Sequence, residues 1–193
     1  ENIYALRREL LEGKVRLEDG DDEEIKQVDT RAYLMMLAED ILDDAIEAYA
    51  GKEIEPEEWD LDALKMDMSR VFGLDAGDYI GLDFADKSAD DISNALWERI
   101  VKKYTAKEQI VGPDTLRYIE RQFMLQIVDT QWKDHLYSLD HLKEGIGLRG
   151  YGQRDPLVEY KRESFGLFQD MKARIDEEML RALWWLRPVP ADG

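Results

Sequence analysis

The chain has 193 residues, with 26 Lys+Arg against 44 Asp+Glu and a formal net charge of −18. That length can bury a real core as one domain or two small ones, while the acidic excess repels phosphate backbones and anionic lipid, which argues against a nucleic-acid partner. The lack of cysteine rules out disulfides and thiolate zinc sites and accords with a cytosolic setting, and no apolar run approaches the roughly 20 residues of a membrane span.

The charge is uneven. Residues 113–193 hold 12 Lys+Arg and 14 Asp+Glu, which leaves −16 on 1–112. The plain reading of that half is an acidic, solvated surface that keeps the chain soluble. Glu1 to Gly13 is too charged for a signal peptide. The first residue is not Met and the chain opens directly into a helical pattern, so a segment of a longer protein is expected.

In chain order, Ile3, Leu6 and Leu10 lie at helical spacing and predict the end of a helix over 1–12. Gly13 to Asp22 reads as a charged connector. From about 23 to 49, Ile25, Val28, Leu34, Leu37, Ile41, Ala45 and Tyr49 share roughly one face of a long amphipathic helix. Gly51 to Glu58 breaks it, and Leu61, Leu64, Met68 and Phe72 predict a short helix over 60–72. Residues 73–87 have turn composition and no period. Ser88 with Asp91 has capping-box spacing and introduces a helix from about 89 to 107 through Ile92, Leu96, Trp97, Ile100 and Tyr104.

Gly112-Pro113 ends that unit and opens a helix over 114–144, about 45 Å long at roughly 1.5 Å per residue. It carries two apolar stripes: Leu116, Ile119, Phe123 and Ile127, and then Leu125, Val128, Trp132, Leu136 and Leu139. A helix apolar on two sides is a scaffold with neighbours on both. A glycine-rich loop follows, in which Gly145, Gly147, Gly150 and Gly152 permit φ > 0. Asp155-Pro156 is a strong start signal for a returning helix over 156–187, because Pro at the first helical position gives up an N–H that has no partner there. Val158, Phe165, Phe168, Ile175, Met179 and Ala182 should face its partner, and Trp184 with Trp185 predicts an apolar surface in need of cover. The fold class is thus all-α: a long two-helix hairpin with an inserted small helical domain.

Several motifs lose force in context. Gly145, Gly147 and Gly150 spell GxGxxG, but a dinucleotide site needs a strand before the motif and a helix start directly after it. GxxxxGK[ST] is absent. His135 and His141 stand six apart, neither in HExxH nor three residues after a Glu, so metal readings fail and packed or surface roles are expected. An EF-hand loop counted from Asp75 would put Gly77 and Tyr79 where oxygen ligands belong. No catalytic, cofactor-binding or metal residue emerges. The tip of the hairpin is more informative. It sets Tyr151 between Gly150 and Gly152, flanked by Arg149 and Arg154, and a tyrosine so held offers sequence-tolerant apolar contact plus a hydroxyl for backbone groups. Just beyond it, Lys161 and Arg162 read as a solvated face stabilised by local pairs such as Glu159 with Arg162.

The stretch GIGLRGYGQRDPLVEYKRESF resembles the two-helix finger of SecA, the ATP-driven motor family of bacterial preprotein translocation. The resemblance runs upstream through Met124-Leu125-Gln126, Asp129, Trp132, His135-Leu136, Leu139-Asp140 and Leu142, and reaches Asn2-Ile3-Tyr4, Arg7, Leu10-Leu11 and Val111-Gly112. It implies a helical scaffold over 1–28 and 113–193, with a finger tip at 145–155 and an inserted helical wing over 29–112. It further implies that Tyr151, Arg149, Arg154, Gly150 and Gly152 contact unfolded preprotein and the mouth of the SecYEG channel. No cofactor is expected in these residues; ATP and Mg would belong to motor domains elsewhere in the parent. The other implied partners are a signal peptide, those motor domains and a second copy of the parent as a homodimer, at the cytoplasmic face of the bacterial plasma membrane. Two other readings stand beside this one: a freestanding acidic helical adaptor for partner helices, and a helical carboxylate enzyme.

Overall fold

A computed structural model describes residues 3–17, 26–149 and 155–189. Among them are six α-helices and one two-stranded sheet: α1 (Ile3–Glu12), β1 (Val15–Leu17), β2 (Lys26–Val28), α2 (Thr30–Ala50), α3 (Leu61–Phe72), α4 (Ala89–Val111), α5 (Pro113–Arg149) and α6 (Pro156–Trp185). The all-α expectation holds apart from the sheet, which takes the place of part of the expected connector. Val15 pairs with Val28, Arg16 with Gln27 and Leu17 with Lys26, antiparallel. Val28 therefore belongs to a strand, not to the helix expected from residue 23. The helix starts at Thr30, where the Asp29 side chain accepts from the Ala32 N–H at 2.8 Å. That cap satisfies an otherwise orphan donor and fixes the boundary.

The remaining starts follow the same chemistry. Asp60 accepts from the Ala63 N–H, Ser88 from the Asp91 N–H and Asp155 from the Leu157 N–H. Gly73 ends α3 in the left-handed region, at φ 61, with its N–H on the Ser69 carbonyl.

The largest departure from expectation lies in α5. It continues through Gly145 and Gly147 to Arg149, so these two glycines are helical and do not form the loop. Glycine costs a helix interior about 1 kcal/mol against alanine, a penalty offset here by continued hydrogen bonding and by burial of Ile146.

The core is continuous across the chain. Ile3, Leu6 and Leu10 of α1 pack into the same cluster as Leu34 and Leu42 of α2, Phe72 of α3, Ile100 and Tyr104 of α4, and Met124, Ile175 and Trp184 of α5 and α6. Trp184 was expected on an exposed face; it is fully buried, with its indole N–H on the Ile100 carbonyl at 3.0 Å. Its ring lies 4.4 Å from Tyr104 and 5.3 Å, edge-on, from Phe72. Trp185 is half-exposed and donates to the Arg70 carbonyl. A side chain at Gly73 would meet the Trp185 ring at 3.2 Å, so this turn needs glycine for space as well as for φ.

Candidate functional site: the helical hairpin and its base

The 37 residues of α5 and the 30 of α6 make the longest elements of the fold, roughly 55 and 45 Å by helical rise, packed along each other. The predicted site residues lie in the chain at and after the end of α5. Arg149 is the last residue of α5, while Gly150, Tyr151, Gly152 and Arg154 lie outside the described residues. What is described is the arm that would carry them. Tyr137, Leu148, Leu157, Val158 and Phe165 are each more than half exposed in the distal half of that arm. Val158 and Phe165 were expected to face α5. Both are exposed instead, and the buried residues of α6 begin only at Met171. Arg162 bonds Glu159 at 2.8 Å, the local pair expected on this solvated face.

The buried stripe of α5 also differs from both expected stripes. It comprises Leu116, Glu120, Met124, Val128, Gln131 and His135, at intervals of four or three, with Leu136 left exposed. Half of these are polar, which hid the stripe from a hydrophobicity count. Gln131 and His135 find partners across the hairpin, and Glu120 finds its own on α2, α4 and α5. Gln131 donates to Glu178 at 2.9 Å and accepts from Arg174 at 3.1 Å, both on α6. His135 is 3% exposed, with ring centroids of Trp132 and Phe168 at 5.4 and 5.9 Å. Burial first, and then the Arg174 charge, lowers its pKa, so it packs as a neutral ring. Tyr4 closes edge-on against Trp132 at 5.8 Å, and Arg7 grips Asp129 through two bonds of 2.8 and 3.3 Å. In this way α1 braces the outer side of α5. His141 is exposed.

At the proximal end of α5 lies a feature that sequence reading missed. Glu120 is fully buried and accepts three hydrogen bonds: from Thr30 Oγ1 at 3.0 Å, the Tyr104 hydroxyl at 2.8 Å and Arg117 Nε at 2.6 Å. Arg117 also binds Glu108, which pairs with Arg31 at 3.3 Å; Arg31 in turn donates to Thr105 at 3.2 Å. The network joins α2, α4 and α5. Burial pushes the Glu120 carboxyl pKa up while its three donors pull against that, and burial beside Glu120 raises the Tyr104 pKa so that it stays a phenol. The one signal that could have found Glu120 is its place four residues after Leu116 and four before Met124.

This arrangement fixes the base of the hairpin through buried partnered groups and leaves its distal arm exposed. Among the described residues no group of three or more His, Cys, Asp or Glu is placed to hold a metal ion. Gly145 and Gly147 of the GxGxxG match sit inside α5, where their backbone N–H groups serve the helix and do not fit a nucleotide phosphate. No described helix is long and apolar enough to cross a membrane.

Comparison with known proteins agrees with this geometry. A family model described as the SecA wing and scaffold domain matches residues 1–187. The chain is 40% identical over 189 residues to the protein translocase subunit SecA of Koribacter versatilis, covering 98% of this chain and 18% of that protein. It is 39% identical over 193 residues to its counterpart in Acidobacterium capsulatum, covering 100% and 18%, and 40% identical over 187 residues to that of Syntrophobacter fumaroxidans, covering 97% and 20%. The chain thus spans about a fifth of the length of these relatives.

Proposed function

Since this chain belongs to the SecA wing and scaffold family, we propose that it forms the arm of an ATP-driven protein translocase that touches the moving preprotein. The observation that carries the reading is the pairing of an exposed, apolar distal hairpin with a locked base. Tyr137, Leu148, Leu157, Val158 and Phe165 stand in solvent, whereas Glu120, Gln131 and His135 are buried in partnered contacts behind them. Exposed apolar groups of this kind mark interaction surfaces. An unfolded chain offers apolar side chains and free backbone groups without fixed sequence, and Tyr151 with Arg149 and Arg154 at the tip suits that target.

In this reading 29–112 is the wing and 1–28 with 113–193 the scaffold. The tip engages preprotein or signal peptide at the SecYEG entrance, on the cytoplasmic side of the membrane. ATP and Mg are held by motor domains outside these residues. A long helix packed on two sides can carry displacement from those domains to the tip as a rigid element. The parent is also expected to meet a second copy of itself.

The test places a photo-crosslinking amino acid at position 151 of the full-length parent, with a preprotein stalled midway through SecYEG. A crosslink to the stalled chain is expected, together with slowed transport by Tyr151→Ala. Efficient transport with no crosslink to preprotein or channel would sink the contact role and leave the hairpin tip as a connector.

A further inference from the structure

Away from the hairpin tip, the end of α6 meets the turn after α3 and the last turns of α4 in a cleft of about 450 Å³. Its walls include Leu74, Trp185, Lys103, Lys107 and Arg187. Lys107 is 7% exposed and has no hydrogen-bond or ion-pair partner among the described residues. Most of the side chain is packed away while its amine opens to the cleft, and the attraction on that amine comes from Asp78, which is itself bonded to Lys103. The nearby carboxylates are already used. Asp78 takes Lys103 at 2.7 Å and the Asp75 N–H at 2.8 Å, while Asp75 accepts from the N–H groups of Gly77 and Asp78. Arg187 adds an exposed guanidinium at the mouth.

We propose that this cleft binds a carboxylate, with Lys107 as its central donor, Arg187 closing over it and Trp185 as an apolar wall. Three cations converge on a site where the two neighbouring acids are engaged in shaping their own loop, so one compact anion completes the set. The state of Lys107 agrees. Burial foremost, then repulsion by Lys103 and Arg187, lowers its pKa to about 8 against the attraction of Asp78. A bound carboxylate favours the ammonium form and raises that value. Affinity is therefore greatest between about pH 5, below which a simple carboxylate takes up its proton, and pH 8, above which Lys107 gives up its own. The carboxylate is either a free small acid or an Asp or Glu side chain from another part of the parent protein. The proposal does not rest on the hairpin reading.

The experiment follows the Lys107 side-chain amine by NMR in the 193-residue chain, titrated with acetate against chloride at matched ionic strength. The expected result is a saturable response, a raised Lys107 pKa, and affinity that declines above pH 8. The acetate-dependent shifts of the backbone amides of Leu74 and Lys103, followed in the same titration, are lost in Lys107→Met, and an unfolding midpoint at or above that of the unchanged chain shows that the fold survives. Arg187→Gln, at an exposed position, weakens binding several-fold and serves as the test if Lys107→Met does not fold. The same titration in the full-length parent separates the sources: a Lys107 pKa already raised and deaf to acetate assigns the site to a protein carboxylate, and a retained response assigns it to a free one. A response to phosphate without one to acetate overturns the carboxylate class. No saturable response in either protein, with the same Lys107 pKa in both, overturns the site.

Discussion

At Glu120, one carboxylate holds three helices by accepting from Thr30, Tyr104 and Arg117. Its contribution is not that of a surface ion pair. Arg7–Asp129, by contrast, is open to solvent on both sides and screened by water. Removing a buried acceptor leaves a guanidinium and two hydroxyls without their partner, which costs about 3 kcal/mol or more. Glu120→Ala should therefore lower urea-unfolding stability by about 3 kcal/mol, and Arg7→Ala by much less. Equal effects at the two positions would show that the three-helix network is not the strong one.

Among the elements, α5 is unusual in burying Glu120 near its start and Gln131 and His135 near its middle, and in carrying two glycines toward its end. At Gly145 and Gly147 an added Cβ would meet nothing within 4 Å, and neither has positive φ. Alanine at either position should therefore slow amide exchange over residues 142–149 by two- to five-fold, the equivalent of about 0.5–1 kcal/mol. Faster exchange would mean that the glycines terminate the helix in solution. Gly73→Ala is the opposite case, since both the left-handed φ and the Trp185 ring oppose it. Two glycines in one helix thus weaken the distal arm without breaking it, which leaves the hairpin stiff at its base and easier to open toward its tip.

For the whole molecule, the continuous core predicts that the middle helices and the hairpin unfold together. Trp184 of α6 contacts Phe72 of α3 and Tyr104 of α4, and Glu120 joins α5 to α2 and α4. Far-UV circular dichroism and intrinsic fluorescence from Trp59, Trp97, Trp132, Trp184 and Trp185 should give coincident denaturation midpoints. Two separated transitions would show that residues 29–112 fold as a unit apart from the flanking helices. The described contacts favour one transition, so any motion between the proposed wing and scaffold must break or rearrange the Glu120 network.

The sequence by itself determined what depends on local chemistry and periodicity. Asp60, Ser88 and Asp155-Pro156 start helices where their side chains cap free N–H groups, and Leu64, Met68, Ile92, Ile100 and Ile175 recur at helical spacing and are buried. The family was likewise legible, because the residues that resemble it lie largely in one contiguous stretch. Tertiary structure alone decided the rest. Whether Val28 joins a strand or a helix depends on pairing with Val15. Whether Trp184 is covered depends on Phe72 and Tyr104, more than seventy residues away in the chain. The buried stripe of α5 reads as polar until Tyr104, Arg174 and Glu178 arrive to satisfy it. Burial of a polar group is set by its partner, and no local pattern encodes a partner brought in by the fold.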